Sequence, residues 1–195
     1  MDTNAATELF PHIRIVMGMV VGLGVARLLT GVAGIVQHPH RARLSALQLL
    51  WVAAVLLELI HFWWWEFALF ELQDWSFGVF FFIFLYTIVL FLQAALLFPD
   101  SLAEYNGYED FFLKRRPWFF GLFAANIICD LIDTYIKGQA HWEKFSFEFA
   151  LQVPIGLALC AIAVWTPDKR FHLALVCFYL VYQLSWIFRL FNTVT

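Results

Sequence analysis

Long apolar runs separated by short polar connections dominate this chain. The first, IRIVMGMVVGLGVARLLTGVAGIV, covers about 13–36; the second, about 45–70, is Leu-rich and then strongly aromatic through HFWWWEF. The third, about 76–98, contains VFFFIFLYTIVLF, and three more runs follow at about 118–137, 146–166 and 171–191. Each is near the roughly 20 residues that a helix needs to cross a hydrocarbon core. The pattern predicts an all-α bundle of six transmembrane helices filling a single domain over 1–195. Pro117 falls in the first turn of the fourth predicted span, where a helix tolerates it, and Pro154 falls inside the fifth. In the longest connection Leu102, Tyr105, Tyr108 and Phe112 recur at three- and four-residue steps, which predicts an amphipathic helix over about 101–115 lying on the membrane surface.

Composition agrees with lipid as the solvent. Hydrophobic residues make up 63% of the 195, aromatics 19% and charged residues only 14%, against roughly 25% charged in soluble domains. This balance excludes an intrinsically disordered chain, a nucleic-acid-binding protein and a soluble enzyme. Cys129, Cys160 and Cys177 all lie in apolar runs, form no CxxC pair and read as small buried hydrophobes.

The few charges are sorted. Six spans place the connections 37–44, 99–117 and 167–170 on one side, with Arg41, Arg43, Lys114, Arg115, Arg116, Lys169 and Arg170. The other side holds Arg14, Lys137 and Lys144. The positive-inside bias then predicts both termini outside, N-out and C-out. Glu66, Glu71 and Asp74 give that outer side an acidic mouth.

Within the spans Arg27 and Arg189 stand against Glu58, Glu66, Asp130 and Asp133. Ionisable groups at membrane depth are costly, so they face a bundle interior and take partners. Counting about 1.5 Å per residue from the inner helix ends puts Arg27, Asp130, Glu58, Asp133 and His61 between roughly 14 and 24 Å deep. Glu58 and His61 are three residues apart, and Glu58, Phe62 and Glu66 four apart, so they share a face. Asn126, Asp130, Asp133 and Lys137 form a polar stripe on the fourth span, which must face protein or water. Gly18, Gly22 and Ala26 make a small-residue ridge on the first, Gly24 and Gly31 a second one, and such ridges allow close helix approach.

Two arginines facing four carboxylates leave at least two acids holding a proton or awaiting a cation. The alternative is a structural ion-pair network, in which Arg27 neutralises Glu58 or Asp130. His61 could relay protons, or serve as a hydrogen-bonded core residue. Glu58-x-x-His61 with Asp130-x-x-Asp133 could also ligate a metal, although di-iron bundles draw on two Glu-x-x-His elements and this chain has one. The Trp63–Trp65 run suits an interfacial belt, with one ring turned inward beside Glu66, where it could hold an organic cation. Channel filters, voltage-sensor repeats, HExxH, GxSxG and phosphate loops are all missing from the sequence.

The segments LLTGVAGIVQHP (28–39), LQLLWVAAVLLELIHFWWWEF (47–67), LLFPD (96–100) and RRPWFF (115–120) resemble a widespread family of small bacterial polytopic membrane proteins. The resemblance covers roughly the first two thirds of the chain. It implies one integral domain of a bacterial inner membrane and transfers no catalytic or binding residue.

The expected function is a small channel or transporter for a cation or proton, with no cofactor and no nucleic-acid partner. Glu58, Asp130 and Asp133 would form the binding layer, Arg27 and Arg189 would set the field, and His61 would relay protons. Glu66, Glu71 and Asp74, with Arg189, would line the outer vestibule. At 22.7 kDa, the chain is also expected to self-associate in the bilayer, as a homo-oligomer such as a dimer. A non-catalytic module binding a partner protein or lipid is the alternative, and a metal-dependent membrane enzyme the third.

Overall fold

The computed structural model describes residues 3–38, 43–72 and 75–190. It is all-helical: α1 (Thr3–Gln37), α2 (Ala46–Trp65), a 3-10 segment (Glu66–Glu71), α3 (Phe77–Ala95), α4 (Tyr108–Ile136), α5 (Gln139–Trp165) and α6 (Lys169–Leu190). All six α-helices are long and apolar enough to cross a membrane, and no strand forms among the described residues.

Local chemistry sets the helix starts. The hydroxyls of Ser45 and Ser76 accept hydrogen bonds from the backbone N–H groups of Gln48 (3.3 Å) and Val79 (3.2 Å), capping α2 and α3. Lys137 and Gly138 alone join α4 to α5, and Gly138 turns the chain at φ 100°, a conformation that favours glycine.

The surface helix expected over 101–115 does not form as a separate element. Residues 101–107 are turns, and Tyr108 already begins α4, which continues without a break past Pro117. Proline removes the N–H that would bond the Leu113 carbonyl. The Arg116 guanidinium takes that role, donating to Leu113 O at 2.5 Å, and its Nε reaches Val164 O of α5 at 3.2 Å. A polar side chain thus repairs the helix where the sequence pattern suggested a boundary.

Helix α2 is central and touches α1, α3, α4 and α6. Its Trp51 is fully buried, with the rings of Phe119, Phe120, Phe123 and Tyr179 at 5.0–6.0 Å. Helix α5 packs chiefly on α4, and α6 chiefly on α2. The glycine ridges of α1 divide. A Cβ at Gly31 would lie 2.2 Å from the Phe98 ring, and one at Gly18 would lie 2.9 Å from Trp63, whereas Gly22 faces open space.

Candidate functional site

Between the α2–α6 pair and the α4–α5 pair lies a cavity of ≈ 440 Å³, within the roughly 300–1,000 Å³ range of small-molecule sites. Helices α5 and α6 are joined at one end by Thr166–Asp168. At the other end they are tied by the Arg189–Glu148 ion pair (2.6 Å) and by the stacked rings of Phe145 and Trp186 (5.7 Å). Between these ties they scarcely touch. Leu151 and Ile155 of α5 and Phe178 of α6 line the cavity while remaining exposed on the flank of the bundle. The cavity therefore has a lateral window with an apolar frame.

The floor of the cavity is polar. Glu58 accepts a close hydrogen bond from Asn126, another from Gln93 at 3.4 Å, and the Tyr179 hydroxyl adds a third donor. Gln183 extends this chain, its amide N–H donating to Tyr179 Oη at 3.0 Å and to the Ala54 carbonyl at 3.3 Å. All three donors to Glu58 are neutral. Asp130 lines the same cavity, and among the described residues no hydrogen bond or ion pair engages its carboxylate. His61 also lines the cavity, with its ring 6.2 Å from that of Trp186.

The four interior acids thus fall into two groups. Glu58 and Asp130 face the cavity, but Glu66 and Asp133 do not. Lys137 takes the latter pair, 3.0 Å from Glu66 and in closer contact with Asp133; the side chains of all three are shut off from solvent. The sequence reading counted Lys137 among outer-loop cations. Its position one turn beyond Asp133 instead folds the flexible stem back along α4, the ordinary geometry of an i, i+4 pair. Its ammonium also lies 5.1 Å from the Trp65 ring. The inward-facing tryptophan is Trp65, and the cation beside it is supplied by the chain itself.

Neither arginine pairs with the cavity acids. Arg27 reaches the end of the bundle at the α3–α4 connection, where it bonds Asp100 (2.6 Å) and the Phe98 carbonyl (2.8 Å), away from Glu58 and Asp130. Long cationic side chains on spanning helices extend toward polar ends in this way. Arg189 sits on the cavity rim, held by Glu148. Glu66 is buried, with 3% of its surface exposed, so it does not line an open vestibule. Asp74 and the Glu71 side chain, also assigned to the vestibule, lie outside the described residues, as does Arg41. Glu58, His61, Asp130 and Asp133 do not converge as ligands, and no such group of three forms among the described residues. The three cysteines are free, and Cys177 is exposed on α6, while Cys160 is buried and lines the cavity.

Tyr179, Tyr182, Gln183 and Gln152 were missed from sequence, yet all line the cavity. A signal was present for the α6 members. Tyr179–Gln183 and Tyr182–Trp186 are i, i+4 pairs, each hydrogen-bonded, and they form a polar stripe on an otherwise apolar span.

No family model matches the chain, and no curated protein or solved structure is similar to it. The site is therefore read from its own residues.

Proposed function

We propose that the chain is a multi-pass inner-membrane protein, with both termini outside, that carries a proton or cation by way of the Glu58–Asp130 pair. One observation carries this reading. Two carboxylates from different helices face one largely apolar cavity, and the bases expected to neutralise them are engaged elsewhere. An uncompensated charge buried in protein costs several kcal/mol, so each acid holds a proton or faces a cation, and exchange between these states is the elementary step of transport. Transport by alternating exposure fits better than an open pore, because the buried Lys137 cluster and the rings of Trp65, Phe145 and Trp186 fill the end of the bundle beyond the site.

Flux in liposomes tests this. Vesicles containing the wild-type protein should pass protons or alkali cations faster than protein-free vesicles, and Glu58→Gln or Asp130→Asn should abolish the excess. Identical rates in wild-type, variant and empty vesicles would overturn it. The lateral window favours a second reading, in which the cavity holds a bilayer lipid and transports nothing.

A further inference from the structure

We infer that the occupant of the cavity is a hydrophobic organic cation, admitted from the bilayer between α5 and α6. This rests on the carboxylate-pair reading and specifies its ligand. Three features that arise from different parts of the chain converge on that class.

The first is charge. Glu58 and Asp130 supply two acids to the cavity; of the two bases that line it among the described residues, Arg189 is already paired with Glu148 at the rim and His61 is a weak base. An anionic head would meet two acids there and no lysine or unpaired arginine. The second is the unused hydrogen-bonding capacity. The side-chain oxygens of Asn126 and Gln183, residues 6% and 4% exposed that line the cavity, accept no hydrogen bond, and neither does that of Gln152. Among the described residues the Trp51 and Trp65 indole N–H groups are unpartnered donors on the same lining, but the acceptors include the Asp130 carboxylate, and a charged acceptor suits a head that is positive or donates protons. The third is the wall. Trp51, Phe120, Phe123, Tyr179, Tyr182 and Trp186 line the cavity with aromatic rings, and a desolvated cation is attracted to such rings.

Shape and access agree with chemistry. A small hydrated ion gains nothing from an aromatic wall and has no reason to enter from lipid. A hydrophobic cation partitions into the bilayer, and the window framed by Leu151, Ile155 and Phe178 opens on the flank of the bundle. A neutral lipid would fill the apolar space but bring no counter-charge to the two acids. The match to a cation is therefore specific to the head, not only to the volume.

Equilibrium binding to the purified full-length protein in nanodiscs tests the inference. The probes are tetraphenylphosphonium, the similarly shaped anion tetraphenylborate, potassium and a long-chain alcohol. Wild-type protein should bind the phosphonium saturably, with quenching of tryptophan fluorescence, and potassium should not displace it. Breaking a buried charge pair is costly, so Glu58→Gln and Asp130→Asn should each weaken binding by at least roughly tenfold. Glu104→Gln, in an exposed turn, should bind as wild type. Asp130→Asn removes no hydrogen bond, so it reports on the site even where Glu58→Gln disturbs folding.

Equal binding of the borate, phosphonium affinity unchanged in both carboxylate variants, or preferential uptake of the alcohol would each overturn the inference. Proton flux without phosphonium binding would leave the transport reading standing and remove this one. Phosphonium binding without any flux would do the reverse.

Discussion

Lys137 shows how one side chain rewrites the charge balance of a buried site. With it, Glu66 and Asp133 have a counter-ion and a hydrogen-bond donor in a region without water. Lys137→Met would leave two acids unpaired, and breaking such a pair costs about 3–5 kcal/mol. Unfolding in detergent should record that loss. Adding Glu66→Gln and Asp133→Asn should recover most of it, because amides of the same shape need no cation; failure of the triple variant to recover would mean that Lys137 acts by packing. The result also bears on Glu58 and Asp130, since one pair of acids has a buried lysine as counter-ion and the other pair has none among the described residues. Glu58, Asp130 and Asp133 read in the sequence as an interior layer, with Glu66 assigned to the outer mouth. The division of the four was not legible, because it depends on a flexible side chain folding back from a helix end, which spacing alone does not distinguish from one reaching out to solvent.

Helix α1 carries the same lesson for elements. Its glycines read as two equivalent ridges, but only contacts tell an inward glycine from an outward one. Gly31 meets the Phe98 ring so closely that a Cβ would lie 2.2 Å away, while nothing lies within 4 Å of a Cβ at Gly22. Gly31→Leu should therefore destabilise by about 1–3 kcal/mol through overpacking, and Gly22→Ala should stay within about 0.5 kcal/mol of wild type. Denaturation of the two variants side by side decides the assignment, and equal stability would refute it. The six helices themselves were legible because lipid-length apolar runs are a strong signal. The start of α4 was not, since Pro117 resembles a first-turn residue and nothing in the pattern announces that Arg116 will bond the freed Leu113 carbonyl. The polar stripe of α6 was readable from Tyr179 and Gln183 at i, i+4.

At the scale of the whole molecule, the cavity exists because four helices pack as two pairs, α2 with α6 and α4 with α5, bridged at Trp51, at Glu58–Asn126 and at Glu66–Lys137. Two further bridges lie at the ends of α6, where Lys169 meets Glu109 of α4 (2.6 Å) and Arg189 meets Glu148 of α5 (2.6 Å). These last two are partly exposed, whereas Glu66–Lys137 is sealed. Dissolved ions reach the first kind of bridge and not the second, with a screening length of about 3 Å at molar salt. Exposed pairs are worth about 0–1 kcal/mol each, so loss of both would change a rate by up to roughly thirtyfold. Release of bound tetraphenylphosphonium should accordingly quicken by a factor of that order between low and molar salt, and a Glu109→Gln, Glu148→Gln double variant should release it at one rate throughout. A salt-independent rate in the wild type would show that α6 is not held by its ends. If the effect is found, the ionic strength at the membrane surface sets how long the cavity keeps its occupant, giving the protein a sensitivity to salt that resides in two ordinary surface ion pairs.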